Sequence, residues 1–344
     1  MSSSRIYSDF ASDIAWIRDS VASDVLHLGR DLSAIATYYV TKRLKILPGG
    51  AGRVNVDPLL GRPVPYAAFW FADAFKVGNS EFARQMGLCL VYNSLTTTLK
   101  DDLNDSSGKD APALRRLEQY WSRKYDGIMQ STFPTDSAFW KTSGFAKEEW
   151  RKYDEWNSKF DENNEFNPYS DKFLSDSSRY FVAVVYPSLA GIAAEAGFGR
   201  EIPKVGRFLK RFSKGWRIFD DLMDWREDLH ARNLNRSSVL YYIKKRLPAH
   251  TTLGTDIVMS SFLSEEFVAE TYGAMLRHLR KARDVADTFR NRYLSTFMRE
   301  QLEFHSRRRD ELMNSGRTFF SKLAAALAKD RSLKRTIKPQ RASV

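Results

Sequence analysis

Residues 212–228 read Phe-Ser-Lys-Gly-Trp-Arg-Ile-Phe-Asp-Asp-Leu-Met-Asp-Trp-Arg-Glu-Asp, and this stretch decides how the chain is interpreted. Within it, Asp220, Asp224 and Asp228 recur every fourth residue. On a helix their carboxylates therefore stack along one face, about 6 Å apart per step. Three anions on one face repel one another unless a cation neutralises them. Mg²⁺ suits this arrangement, because it prefers oxygen ligands and typically links one or two carboxylates to substrate phosphates.

The same acidic pattern occurs a second time, earlier in the chain. Residues 101–105 read Asp-Asp-Leu-Asn-Asp, which repeats the D-D-x-x-D spacing of residues 220–224. A single copy is equally consistent with a solvated acidic face that pairs with its basic neighbours. Two copies, each beside an apolar helical stretch, favour a multivalent cation and a polyphosphate bound between them. The predicted metal ligands are Asp101, Asp102, Asp105, Asp220, Asp221, Asp224 and Asp228, of which Asp101, Asp102 and Asp220 are also predicted to be catalytic.

The composition is that of an ordinary globular chain of 344 residues, 43% hydrophobic and 28% charged. The net charge of +12 suits an anionic diphosphate substrate. It does not indicate nucleic-acid binding, because no recognisable nucleic-acid module accompanies the basic residues. The single cysteine, Cys89, excludes an intrachain disulfide and predicts a reducing, cytoplasmic location. The most apolar stretch, residues 180–198, contains Pro187 and Glu195, so we predict no transmembrane segment.

The apolar residues follow a helical period almost throughout, and no strand pattern of useful length occurs. Helices are predicted over residues 13–44, 65–75, 81–103, 169–197 (bent near Pro187), 202–232 and 265–314, and Pro112 and Pro168 are predicted to open helices. The predicted fold class is all-α, a single-domain helical bundle around a central active-site cavity. This domain is predicted to cover residues 1–316, and a basic, flexible tail to cover residues 317–344.

Three segments resemble the class I isoprenoid synthases, the superfamily of trans-prenyl diphosphate synthases and class I terpene synthases. Residues 61–63, Gly-Arg-Pro, and the apolar run after them resemble the G-K-x-x-R-P segment of the prenyl diphosphate synthases. Residues 93–105 and 212–224 resemble their two aspartate-rich helices. The resemblance implies three Mg²⁺ ions, with Mn²⁺ as a substitute, that ionise an allylic prenyl diphosphate and release pyrophosphate. A homodimer would follow the habit of the superfamily.

Two departures from the family pattern decide which branch the sequence favours. Chain-elongating members carry Arg-Arg-Gly shortly after the first motif, whereas this chain has Ser106-Ser107-Gly108, and its pair Arg115-Arg116 comes too late. The lysine of G-K-x-x-R-P is absent as well. Both losses argue against a second diphosphate site, so we predict a terpene synthase, a lyase that cyclises its substrate or eliminates a proton. The alternatives are a trans-prenyl diphosphate synthase or head-to-head condensing enzyme and, in another class, a catalytically silent subunit that regulates a partner.

The resemblance also implies a set of substrate-binding residues. Arg179 lies 41 residues before Asp220 (220 − 179), where terpene synthases place an arginine that senses pyrophosphate, and it is predicted to be catalytic. Small residues one turn before the first motif, Thr97 among them, imply a deep pocket for a substrate of C20 or longer. The remaining residues predicted to contact the diphosphate or the prenyl chain are Lys214, Trp216, Phe219, Arg226, Arg292 and Tyr293.

Overall fold

The computed structural model describes residues 5–40, 64–105, 111–137, 139–159, 167–230, 237–248 and 250–336. These ranges contain α-helices, a short 3₁₀ helix and no strand, so the all-α prediction is confirmed. The helices are α1 (Arg5–Ser8), α2 (Ala11–Leu26), α3 (Arg30–Tyr38), α4 (Val64–Ala74), α5 (Ser80–Asp105), α6 (Ala111–Thr132), α7 (Phe139–Ser158), α8 (Asp171–Ser177), α9 (Arg179–Glu195), α10 (Ile202–His230), α11 (Ser238–Lys245), α12 (Thr255–Phe262), α13 (Glu265–Asp287) and α14 (Arg292–Thr336). Among these described helices, none is long and apolar enough to cross a membrane.

The chain divides into two compact units. The first unit comprises Met1–Phe160, Leu174–Lys214 and His278–Gln301, and the second comprises Asp161–Phe173, Gly215–Arg277 and Leu302–Val344. The division at residue 316 between a domain and a tail stays a prediction. The backbone of residues 317–336 continues α14 as helix, and the last eight residues, 337–344, lie outside the described part of the chain.

The core of the first unit forms around α4, α5 and α9, whose residues are largely apolar. Helix α4 buries Phe69, Trp70 and Phe71, because all of its residues except Asp73 are apolar or aromatic. Close packing also requires small residues on α9. A Cβ atom at Gly191 would lie 2.8 Å from the ring of Phe133, so a side chain at this position would force the ring to move.

A polar cluster joins three helices of the first unit. The Asp24 carboxylate on α2 accepts a hydrogen bond from the hydroxyl of Tyr92 on α5. It also pairs with Lys124 on α6, whose Nζ lies 2.7 Å away. The Tyr92 ring stacks on Trp121 with 5.3 Å between ring centroids. These contacts pair the buried hydroxyl of Tyr92 where α5 packs along α6, and α5 carries the first acidic motif.

In the second unit, aromatic side chains pack around the C-terminal part of α10 and the helices that follow it. Trp225 on α10 meets Phe262 edge to face at 5.5 Å, and Phe262 lies 5.2 Å from Phe267 on α13. Tyr242 on α11 contacts Phe267 at 5.6 Å. Ser237 caps the start of α11, because its Oγ accepts a hydrogen bond from the backbone N–H of Leu240 at 3.4 Å. The second acidic motif therefore starts from a well-packed helix.

Two long helices that periodicity predicts are each divided in the structure. The first ends at Leu26 and resumes after Gly29, whose extended backbone (φ −57°, ψ 155°) interrupts the helix. The second is interrupted between α13 and α14, where Arg290 has φ 52°. Asn291 starts the new helix: its Oδ1 accepts from the Leu294 N–H at 2.9 Å, and its Nδ2 donates to Asp73 at 2.6 Å. Capping chemistry, which apolar periodicity does not detect, sets these boundaries.

Because His305 on α14 is buried, we expect the free energy of unfolding to fall at acidic pH. His305 is 2% exposed and lies against the ring of Phe219 within the second unit, with 4.8 Å between centroids. Burial lowers its pKa from 6.5 to about 4. The unfolded chain therefore binds a proton at His305 more tightly than the folded chain does. The contribution of neutral His305 to the free energy of unfolding is complete above about pH 6.5. It is lost as the pH falls toward 4, by up to about 3 kcal/mol. We expect His305→Phe to reduce the fall in unfolding free energy between pH 7 and pH 5, as measured by urea titration. An unchanged fall would contradict this assignment.

Candidate active site

The first acidic motif occupies the last turn of α5. No basic residue lies in that turn, and the C-terminal end of a helix carries partial negative charge. Three carboxylates at this end are therefore unfavourable without a cation. Asp102 is held in place by Tyr39, whose buried hydroxyl donates to Asp102 Oδ2 at 2.5 Å. The helical backbone places Asp101 and Asp105 in the same turn, while their side chains lie outside the described part of the structure.

The second acidic motif forms an acidic stripe, Asp220, Asp224 and Asp228, along one face of α10. Asp220 and Asp228 are half-buried and Asp224 is exposed. Burial raises the pKa of Asp228; Arg217 opposes this rise, and the charges of Asp220 and Glu227 add to it. The stripe thus brings like charges close together at a partly dehydrated surface, which favours the protonated form of Asp228.

Asp221 is placed differently from the other carboxylates of its motif. It is 2% exposed and accepts hydrogen bonds from the Ser238 backbone N–H at 2.7 Å and from the Ser238 hydroxyl at 2.5 Å. Arg217 Nη2 lies 3.1 Å from its other oxygen. Burial nevertheless raises its pKa to about 7. These contacts attach the start of α11 to α10, which favours a structural role, and its role as a metal ligand stays a prediction.

The residues present fit Mg²⁺ in the way that this ion is usually bound in enzymes. Among the side chains that the structure describes, no three His, Cys, Asp or Glu residues form a group that could hold a metal ion. Mg²⁺ does not need one, because it commonly binds one or two carboxylates, water and substrate phosphates. The hard oxygens of Asp220, Asp224 and Asp228 suit this mode. The carboxylate of Asp221, which is buried among its own partners, does not.

Arg179, the first residue of α9, is fixed by two carboxylates of the first unit. Its Nη1 donates to Glu149 on α7 at 2.8 Å, and its Nε and Nη2 donate to Asp176 at 3.1 and 3.0 Å. Lys210 Nζ lies 3.5 Å from the second oxygen of Glu149. These contacts use three of the five N–H groups of the guanidinium. The predicted role of Arg179 in binding pyrophosphate stays a prediction, and its partner Glu149 was not identified from the sequence.

Glu149 makes a testable contribution to stability. It is 3% exposed, and Glu149→Gln keeps its shape but removes the charge between Arg179 and Lys210. We expect the free energy of unfolding to fall by about 2 kcal/mol, because Arg179 then keeps only Asp176 as a counter-charge and Lys210 loses the Glu149 carboxylate. The matched control is Glu148→Gln, whose side chain is 41% exposed and pairs with the exposed Arg151, and which should change stability little. Urea unfolding that leaves both variants equal to the parent chain would contradict the assignment.

Four of the other predicted residues lie within or beside the second motif in sequence. Lys214 and Trp216 are buried. Phe219 is half-buried and meets Trp216 edge to face, with 5.3 Å between centroids. Arg226 is exposed, and its guanidinium lies 5.1 Å from the ring centroid of Trp225. Phe219 and Arg226 are thus more accessible than Lys214 and Trp216, and all four roles stay predictions.

The predicted Arg292-Tyr293 pair lies at the start of α14 in the first unit. Arg292 Nη2 donates to Tyr293 Oη at 2.6 Å, and Tyr293 Oη donates to Asp9 Oδ2 at 3.0 Å. The two side chains thus contact each other, and they also anchor the N-terminal segment through Asp9. Their role toward the diphosphate stays a prediction.

A cavity of about 400 Å³ lies in the first unit among α5, α6, α7 and α9. Thr97, predicted to line a substrate pocket, is part of its wall together with Thr96 and Lys100. The side of the cavity that α7 forms does not follow from the sequence analysis, which predicts no helix within residues 131–168. A recognisable pattern was present: Trp140, Ser143, Lys147 and Trp150 all line the cavity and recur at three- and four-residue intervals, the spacing of one helix face.

The all-helical fold of the described residues, in which one D-D-x-x-D motif closes α5 and another lies within α10, is similar to the folds of two solved structures. A decaprenyl diphosphate synthase from Rhodobacter capsulatus matches with a TM-score of 0.63 and 13% identity, over 87% of this chain and 98% of the other. A geranylgeranyl pyrophosphate synthase from Corynebacterium glutamicum matches with a TM-score of 0.57 and 15% identity, over 88% and 94%. No family model and no curated protein matches the sequence. At these identities the likeness concerns the fold.

Proposed function

We propose that this protein is a Mg²⁺-dependent prenyltransferase, which ionises an allylic prenyl diphosphate and joins its prenyl group to isopentenyl diphosphate. The observation that carries the proposal is the presence of two D-D-x-x-D motifs on helices of an isoprenoid synthase fold. The likeness to two structures described as prenyl diphosphate synthases supports transfer over cyclisation. The sequence alone favours a terpene synthase, so the proposal adopts what was the alternative there.

The chain's own residues have separate tasks in this reaction. Bound Mg²⁺ supplies positive charge that stabilises the departing pyrophosphate. Asp101, Asp102 and Asp105 on α5, and the acidic stripe on α10, would hold the ions. Tyr39 keeps the Asp102 carboxylate in one orientation, and Asp221 keeps α10 attached to α11. Arg179, already oriented by Glu149 and Asp176, would donate its remaining N–H groups to the pyrophosphate.

A terpene synthase is the second candidate, and a specific sequence feature favours it. Ser106-Ser107-Gly108 stands where chain-elongating enzymes of the resembling family carry Arg-Arg-Gly. Those residues lie outside the described part of the structure. A chain that lacks these arginines has fewer cations for a second diphosphate, whereas a terpene synthase needs only one.

Product analysis with and without isopentenyl diphosphate separates the two candidates. The purified protein is incubated with Mg²⁺ and farnesyl or geranylgeranyl diphosphate, and products are followed by mass spectrometry and gas chromatography. We expect a longer diphosphate that forms only when isopentenyl diphosphate is present. A hydrocarbon or alcohol formed from the allylic diphosphate alone would replace the transferase with the terpene synthase. Absence of any product from folded protein would favour the silent regulatory subunit. Light scattering on the same sample tests the homodimer that the resemblance implies.

A further inference from the structure

Helix α14 continues past the helix that it packs on in the second unit. The Arg317 guanidinium donates to the carboxylate of Glu265, the first residue of α13, with 2.7 Å from Nε to Oε1. Further along α13, the Tyr272 hydroxyl lies near Arg308, an earlier residue of α14, so the two segments run antiparallel. Helix α13 therefore reaches no further along α14 than Arg317. Residues 318–336 continue α14 as helix, for about 28 Å at 1.5 Å per residue.

The turn of α14 that follows Gly316 is exposed to solvent. Gly316 itself is buried, and a Cβ atom there would collide with the Leu263 carbonyl oxygen, so the two backbones meet at this point. By contrast, the described side chains from 317 to 322 are all exposed. Phe319 is one of them, with 48% of its surface accessible. Among the described side chains of α14, Gly316 is thus the last residue that is buried.

The sequence from Arg317 onward combines an apolar period with a strong positive charge. Residues 319–327 read Phe-Phe-Ser-Lys-Leu-Ala-Ala-Ala-Leu. Phe319, Leu323 and Leu327 recur every fourth residue, which is the spacing of one helix face. Residues 317–344 contain eight Lys or Arg and one Asp, so they contribute +7 (8 − 1) of the chain's net charge of +12. Prenyl transfer at the two acidic motifs makes no use of this segment.

We propose that residues 317–336 bind the surface of an anionic lipid bilayer as an amphipathic helix. A helix of this kind lies in the interface, with its aromatic and aliphatic residues toward the lipid chains and its basic residues at the head groups. Each Lys or Arg near an anionic bilayer increases the affinity about fivefold. This interaction goes beyond the proposed prenyl transfer and does not depend on it, because it requires neither Mg²⁺ nor a diphosphate.

Two other occupants match the segment less well. A second copy of the chain would bring another segment of charge +7 against the first, and like charges repel. A nucleic acid would match the charge, but its phosphates are bound by basic and polar groups, which leaves the apolar period without a partner. An anionic bilayer matches both the charge and the apolar period, and it also takes up the amphiphilic product that the proposed reaction would release.

Flotation with lipid vesicles tests the proposal on the purified full chain, without Mg²⁺ and without substrate. The vesicles contain phosphatidylcholine alone or phosphatidylcholine mixed with phosphatidylglycerol, and the bound fraction is measured over a series of lipid concentrations. We expect binding to the anionic vesicles to be at least about tenfold tighter and to weaken at high salt. Equal binding to both kinds of vesicle, or binding to neither, would overturn the proposal. Because no prenyl diphosphate is present, the result does not depend on whether the protein is a prenyltransferase.

A charge variant assigns the contact to α14. Lys322→Gln combined with Lys329→Gln should weaken binding to the anionic vesicles by about thirtyfold, because two basic residues no longer face the head groups. The matched control is Arg280→Gln combined with Lys281→Gln. It removes the same charge from two exposed residues of α13 and should change the affinity little.

Phe319→Ser tests the apolar face in the same assay. Loss of the phenyl group should weaken binding by about tenfold. The matched control, Leu26→Ser on α2, also replaces an apolar side chain, which is 79% exposed, and should leave the affinity unchanged. Binding equal to that of the parent chain in both α14 variants would place the contact on another surface and overturn the proposal. Binding to duplex DNA in place of the anionic vesicles would overturn it as well. The comparison of vesicles with the unmodified chain decides the matter even if a variant fails to fold.

Discussion

Asp101→Asn and Asp220→Asn should each lower the turnover of prenyl diphosphate by about a thousandfold, the scale seen when one preorganised electrostatic contact to a transition state is removed. Asparagine keeps the shape of the side chain but carries no charge, so it holds Mg²⁺ and the leaving pyrophosphate less well. The measurement is the rate of pyrophosphate release at saturating Mg²⁺. Helical content and unfolding free energy should stay close to those of the parent chain.

The control for these variants is Asp31→Asn. Asp31 lies exposed in the first turn of α3. Its substitution removes one negative charge at a position away from both motifs in sequence, so turnover should stay unchanged. If either motif variant retained more than half of the parent rate, that motif would not take part in metal binding.

Asp221→Ala should have the largest effect on stability among the motif residues. The substitution leaves the Ser238 N–H and hydroxyl without their acceptor and removes the carboxylate that pairs with Arg217. Loss of one partner from a buried ion pair costs about 3 to 5 kcal/mol. Urea unfolding of the parent and variant chains at pH 8, where the carboxylate is charged, measures this loss.

Asp224→Ala is the matched comparison on the same helix. Asp224 is exposed, so its removal should leave the unfolding free energy nearly unchanged and instead lower the rate of pyrophosphate release. The two variants therefore distinguish, within one motif, a carboxylate that stabilises the fold from a carboxylate that binds metal. An Asp221→Ala protein that is as stable as the parent but inactive would show that Asp221 is a ligand and not an anchor.

The sequence predicts the helical fold well, because apolar periodicity depends on local spacing; the role of the two acidic motifs stays a prediction. The end of α5 at the first motif and the extent of α10 follow from apolar periodicity that the structure reproduces. Two features were less visible. The break before α14 depends on Asn291 contacting Asp73, far away in the chain. The helix α7 has aromatic and charged residues in nearly equal measure, so its apolar period is weak.

The candidate site was predicted in kind but not in detail. The D-D-x-x-D pattern does not show which of two adjacent aspartates has a structural role. Only the hydrogen bond from Ser238 to Asp221 distinguishes Asp221 from Asp220. Likewise, Arg179 was chosen from its distance along the chain, whereas its partner Glu149 comes from another helix. A single sequence does not reveal which residues of different helices meet. Cavity shape follows the same rule, which is why the α7 wall was missed.

The most direct test of the proposed function is pyrophosphate release from farnesyl diphosphate and geranylgeranyl diphosphate, measured with the purified full chain, with and without isopentenyl diphosphate. We predict release that requires Mg²⁺, stops when a chelator is added, and is restored by excess Mg²⁺ or by Mn²⁺. Release that continues at the same rate in the chelator would contradict a metal-dependent site at the two acidic motifs. Folded protein that released no pyrophosphate under any of these conditions would contradict prenyl diphosphate chemistry itself.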